Sequence, residues 1–156
     1  MGWSLQVFLL LCILHALEKT KGNLTSCDVT HFNDNPNVTD FSKRSSRWTF
    51  HHGNSNKTVS NIKHPQYDLI LHDGSHIGSE VFTDLENIYP YLKHDGILVT
   101  HDTRHHDLGE EMMSAVNAFA KDSEVEMLTL PYGYGLTFFR NKGNKSNSIN
   151  LTWRKI

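Results

Sequence analysis

The sequence is poor in cysteine, in net charge and in long apolar runs. Its two cysteines, Cys12 and Cys27, make no CxxC pair and no zinc-finger spacing, which excludes a disulfide framework and a thioredoxin-type redox motif. Each is expected to be a small buried hydrophobe. A net charge of −2 with no Lys/Arg-rich run gives no basis for a nucleic-acid partner. The apolar stretch Leu5–Leu17 is shorter than the roughly 20 residues a bilayer requires, so no stable membrane span is expected. Neither HxH nor HExxH occurs, which counts against a zinc hydrolase. No internal repeat is visible. What remains is ordinary globular composition, 38% hydrophobic and 21% charged over 156 residues, enough for one domain with a core.

Histidine, in contrast, is abundant, at 11 residues. His72, His76, His101, His105 and His106 lie at or near the ends of two apolar runs. The first run is Tyr67-Asp-Leu-Ile-Leu-His-Asp-Gly-Ser-His76 and the second Gly96-Ile-Leu-Val-Thr-His-Asp-Thr103. Short apolar runs bounded by glycine read as buried parallel strands. Ligands of open α/β sheets sit beyond the carboxyl ends of such strands. Two neighbouring strands then deliver Asp73, His76, His101 and Asp102 to one rim. Paired carboxylates repel unless a cation or a shared proton offsets them, and an ion with oxygen ligands does so. An imidazole beside that ion can take a proton near neutral pH. Strand alternation predicts that His72 and His101 each point away from the Asp that follows. His105 and His106 are expected in a solvated loop.

The remaining periodicity predicts a helix from Ser4 to about Lys19 and a strand over 23–29 ending at Asp28. A loop over 30–47, a strand over 47–51 and a short helix over 57–63 follow. Helices are predicted over 79–92 and 110–121, and a hairpin over 124–130 and 135–140 around Pro131-Tyr-Gly-Tyr-Gly135. Such alternation implies an α/β fold with a mostly parallel sheet, helices on both faces and an antiparallel C-terminal hairpin. Residues 1–140 are read as one domain and 141–156 as a polar tail. Leu5–Leu17 is read as a buried helix of the fold, which places the protein in the cytoplasm. The competing reading is a signal-peptide core in a secreted protein, supported by sequons at Asn23, Asn37, Asn56, Asn144 and Asn150. Against it, the start carries no positive side chain and no small-x-small cleavage site follows.

With these residues in place, the chain resembles the class I S-adenosylmethionine-dependent methyltransferases. It is most similar to metal-dependent O-methyltransferases related to macrocin and rhamnosyl O-methyltransferases and cephalosporin hydroxylase. The resemblance runs from Gly2 to about Arg140. It rests on Tyr67–His76, on Asp84, Tyr89, Leu92 and Gly96, on Ile97–Asp102, and on Gly133-Tyr-Gly-Leu-Thr-Phe138. It implies a Rossmann-like sheet, with S-adenosylmethionine and a divalent metal, magnesium first, as cofactors. It makes Asp73, His101 and Asp102 the metal positions and His76 the base for an acceptor hydroxyl on a sugar or other small molecule. Asp28 would hold the cofactor ribose, Asn54 and Ser55 would lie near its adenine, and Asp73 would also border the cofactor. Gly2 and Ser4 would close the Gly-rich cofactor turn. Two departures stand out. His101 takes a position usually acidic in such enzymes. Of the acid-x-Gly-x-x-x-Gly pattern only the last Gly is here, so the first strand of the fold is expected to be missing. The alternatives are a non-catalytic, secreted protein of this fold, and a metallohydrolase built on His72, His76, His101, Asp102, His105 and His106.

Overall fold

The computed structural model describes residues 5–30, 46–63 and 65–143, with the side chains of 5–8 excepted. Gly2 and Ser4, most of the predicted 30–47 loop and nearly all of the 141–156 tail lie outside the described residues. The chain divides into two compact units, 1–62 and 63–156.

The first unit holds helix α1 (Leu5–Thr20), strands β1 (Leu24–Asp28) and β2 (Trp48–His52), and the short helix α2 (Ser55–Thr58), which runs on as a 3-10 turn over Val59–Asn61. β1 and β2 pair in parallel with Asp28 opposite His52. Leu10 and Leu14 of α1 are buried together with Leu11, Leu24 and Trp48. The Trp48 indole N–H donates to Ser26 Oγ at 2.8 Å. The expectation of a fully buried α1 needs correction. Leu9 is 39% exposed and Cys12 is exposed rather than buried; among the described residues, the β1–β2 pair covers the Leu10–Leu14 stripe. Cys27 is half-buried and points its thiol at the Gly53 carbonyl, 3.4 Å away.

The second unit holds β3 (Tyr67–His72), α3 (Gly78–Ile88), β4 (Leu92–His101), α4 (Gly109–Asp122), β5 (Val125–Leu130) and β6 (Leu136–Asn141). Its sheet runs in the order β3-β4-β6-β5. β3 and β4 are parallel, and β6 is antiparallel to both β4 and β5, which is the predicted closing hairpin. Val81 and Leu85 of α3 and Met112, Ala115, Val116 and Phe119 of α4 pack with Leu98 and Phe139 of the sheet into one core. Phe119 lies edge-on to both Tyr89 and Phe139. Leu69 and Leu71 of β3 alternate away from Ile70 and His72 and stay exposed.

Two boundaries differ from the periodicity. α3 stops at Ile88 and a 3-10 turn covers Tyr89–Tyr91, because Pro90 has no N–H for a helical bond. β4 begins at Leu92 rather than Gly96. Tyr67 pairs with Leu92 and the register then shifts, with Asp95 at φ 62°. A side chain at Gly96 would meet the Lys93 carbonyl at 2.8 Å, so this irregularity needs the glycine.

Candidate functional site

β3 and β4 lie side by side with His72 opposite Thr100, so both strands end at the same rim. His101 closes β4 and Asp102 follows it with φ 58°. That left-handed backbone is open to Asp at a modest cost. It overturns the alternation expected for His101. Because Asp102 leaves the strand in a left-handed turn, its carboxylate swings back toward the imidazole instead of away. His101 Nδ1 lies 3.1 Å from Asp102 Oδ1 and 3.1 Å from Asp73 Oδ1. Asp73, His101 and Asp102 form a group whose donor atoms all lie within 4.8 Å of one another.

Asp102 is the hub. Its Oδ2 meets His76 Nε2 at 2.7 Å. Its Oδ1 is buried and makes no hydrogen bond. The carboxylate is 13% exposed and the His76 ring 39%, so the acid sits beneath a more open imidazole. A carboxylate so placed fixes the ring and keeps Nε2 protonated, which leaves Nδ1 as the basic atom.

The surroundings hold this arrangement still. Thr103, fully buried, accepts a hydrogen bond from the Thr137 hydroxyl at 3.0 Å, and Thr137 in turn meets Thr129 at 2.9 Å. These three hydroxyls tie the residue after Asp102 to the closing hairpin. Arg104 N–H donates to the Tyr134 carbonyl at 2.6 Å, and a side chain at Gly135 would strike the Arg104 backbone. On the other side, Glu111 of α4 accepts the Gly78 N–H at 2.8 Å. It thereby caps α3 two residues after His76. Composition and spacing give no signal for Glu111, since its partner lies 33 residues away on another helix.

The other histidines go elsewhere. His72 is 6% exposed and pairs through Nε2 with buried Asp84 Oδ2 at 3.2 Å, turned into the helix-covered side of the sheet. His105 and His106 stack on each other at 4.3 Å, and His105 lies 4.6 Å from the Tyr134 ring. With Asp107 they form a second, separate group of metal-capable side chains. The six-residue metallohydrolase site is therefore not assembled: His72 and the His105–His106 pair do not join the rim. An open cleft of about 450 Å³ begins two residues after Asp102, lined by Arg104, His105, Glu110, Met113, Ser114 and Asn117 among others.

In the first unit, the ends of β1 and β2 come together. Gly53 N–H donates to the Asp28 carbonyl at 2.9 Å, which sets Asp28 beside the Gly53-Asn-Ser55 turn. Asp28 Oδ1 accepts the Thr30 N–H at 2.7 Å. Asn54 caps α2 through its backbone only; its side chain makes no capping bond. Asp28, Asn54 and Ser55 thus share one sheet end, as expected of acids and small polar residues that follow parallel strands.

Parallel strands ending in acids, with an antiparallel hairpin closing the sheet, define the α/β class of the methyltransferase fold. A methyltransferase-domain family model matches residues 1–103, and the chain belongs to that family. No curated protein sequence matches it significantly. Among solved structures it is similar to the SAH-bound methyltransferase PaMTH1 of Podospora anserina, with a TM-score of 0.73 at 17% identity over 88% of this chain and 68% of that one. It is also similar to the O-methyltransferase NovP, with a TM-score of 0.64 at 12% identity over 86% of this chain and 66% of NovP. A third is the MycE methyltransferase of the mycinamycin biosynthetic pathway, in complex with Mg and SAH. Its TM-score is 0.58 at 17% identity over 85% of this chain, and the chain spans 40% of MycE's length. At these identities the likeness establishes the fold.

Proposed function

We propose that the chain is an S-adenosylmethionine-dependent O-methyltransferase domain that acts on a hydroxyl of a sugar or other small molecule, with a divalent cation on the Asp73–His101–Asp102 rim. The observation that carries this reading is the 2.7 Å contact of His76 with Asp102, an acid whose other oxygen is buried without a hydrogen bond. One carboxylate thereby serves a base through one oxygen and keeps the second for a cation. The donor set, two carboxylates and one imidazole, suits a small dication.

A bound cation makes a hydroxyl easier to deprotonate, and S-adenosylmethionine supplies the methyl group. This chain's residues do the rest. Asp102 holds His76 with Nδ1 outward. His76 would take the acceptor's proton, while S-adenosylmethionine would give up its methyl group to the oxygen, its carbon–sulfur bond breaking so that S-adenosylhomocysteine leaves. The acceptor is assigned to the cleft lined by Arg104, His105 and Glu110, whose lining begins two residues along the chain from Asp102. Asp28 is assigned to the ribose hydroxyls, Asn54 and Ser55 to the adenine, and Asp73 to the cofactor edge as well as the cation. Gly2 and Ser4 are assigned to the cofactor turn.

Calorimetric titration with S-adenosylmethionine tests the reading, followed by transfer of labelled methyl to a panel of hydroxylated sugars and phenols. His76→Gln is expected to lower kcat by about 10²-fold or more while leaving cofactor affinity unchanged. Absence of cofactor binding, or a His76→Gln variant with full kcat, overturns it.

A further inference from the structure

His101 stands where an acid would complete an all-oxygen site, and its geometry shows what it does there. Its Nδ1 is 3.1 Å from one oxygen of Asp73 and 3.1 Å from one oxygen of Asp102. Neighbouring ligands around a six-coordinate ion with bonds of about 2.1 Å lie about 3 Å apart. The spacing therefore fits a small dication. Asp102 Oδ1, already part of this group, is buried and unbonded, so it needs a positive partner. An ion that all three donors share meets that need.

The choice among small ions follows from the nitrogen. Magnesium is bound largely by charge and prefers oxygen. Replacing a third carboxylate by a neutral imidazole removes one negative charge and returns little to magnesium. Cobalt, nickel and zinc regain the loss through the imidazole bond. We propose that the Asp73–His101–Asp102 site selects a first-row transition-metal dication over magnesium, with His101 as the selecting residue. This rests on the reading of the rim as a cation site and narrows it.

The test uses the full chain with His105→Asn and His106→Asn in the background, so that the second histidine group cannot contribute. Co²⁺ and Mg²⁺ are titrated separately by calorimetry, and bound Co²⁺ is followed by its visible absorption. The expected result is one Co²⁺ per chain, bound at least about tenfold more tightly than Mg²⁺. His101→Asp should weaken Co²⁺ and strengthen Mg²⁺, and His101→Asn should weaken Co²⁺ without strengthening Mg²⁺. Circular dichroism confirms that each variant is folded; should one fail, the other carries the comparison. Equal or tighter Mg²⁺ binding by the parent chain overturns the proposal. So does a Co²⁺ preference that survives loss of the imidazole. Binding of neither ion also overturns it. S-adenosylmethionine is titrated in parallel: its failure to bind rejects the enzyme reading, whatever the metal result.

Discussion

The two units carry their candidate residues on very different foundations. The rim of the second unit stands on a four-stranded sheet whose core draws buried side chains from α3, α4, β4 and β6. Among the described residues, Asp28, Asn54 and Ser55 of the first unit stand on two strands packed on α1, with Leu10 and Leu14 as the buried centre of their cluster. Two strands alone are marginal in water, and a packed helix is what gives such a pair any persistence. A proton-transfer and cation site needs donors fixed to within a fraction of an ångström. A strand-end acid meeting a ribose is less demanding, because hydroxyls turn to suit it. The difference in packing follows the difference in the precision each proposed role requires.

Truncating each core measures that difference. Phe119→Ala removes a fully buried ring that touches Tyr89 and Phe139, and should cost about 3–5 kcal/mol. Loss of the whole denaturant transition, or its shift by that amount, is the expected outcome. Leu14→Ala in α1 should cost about 2–3 kcal/mol at most, near the low end for such changes. Its effect should concentrate in hydrogen exchange of β1 and β2. If Leu14→Ala instead lowers protection across β3, β4 and β6 as much as Phe119→Ala does, the contrast between the units is wrong.

Glu111 tests how much the rim depends on its support rather than on its own residues. Glu111→Ala leaves the Gly78 N–H without its carboxylate partner, a loss of about 1.5–3 kcal/mol for a charged hydrogen bond, less where water replaces it. The helix that starts after His76 would fray at its first turn. The expected signature is a lower kcat with little change in cofactor affinity, partly restored in Glu111→Gln, which keeps an acceptor. An unchanged kcat would show that the His76–Asp102 contact alone fixes the base.

Much of this was legible in the residues. The apolar runs Tyr67–His72 and Gly96–His101 gave the parallel pair, because buried strands select unbroken apolar sequence. Asp73, His76 and Asp102 followed from their place just beyond those runs. His101 illustrates where that reasoning stops. Alternation turns its ring away from Asp102, but the left-handed backbone at Asp102 reverses the outcome, and nothing in a single sequence announces φ 58° at an aspartate. Glu111, the Thr103–Thr137–Thr129 chain and the His72–Asp84 pair were illegible for a different reason: each joins residues far apart in sequence, so local pattern holds no trace of them. The exposure of α1 was missed because periodicity reports how apolar a helix is, not how much surface its neighbours can cover.

The smallest expected effect lies within the better-packed unit and asks whether its packing is uniformly favourable. Glu86 is in the last turn of α3 and Asp122 ends α4, so both acids sit at negative helix ends. Burial raises the Glu86 pKa above its ordinary value, and the Asp122 carboxylate raises it further. A carboxyl whose folded pKa is raised binds its proton more readily in the folded state. Stability therefore falls as pH climbs from the unfolded pKa through the folded one, and the penalty is fully present at neutral pH. Glu86→Gln removes the charge, so it should raise the denaturant midpoint at pH 7 by a change worth less than about 0.5 kcal/mol, as suits a surface site. The gain should vanish below about pH 4, where Glu86 is protonated in both states, and should shrink in high salt as the Asp122 repulsion is screened. A gain that is the same at both pH values would mean that helix propensity, not charge, sets the effect.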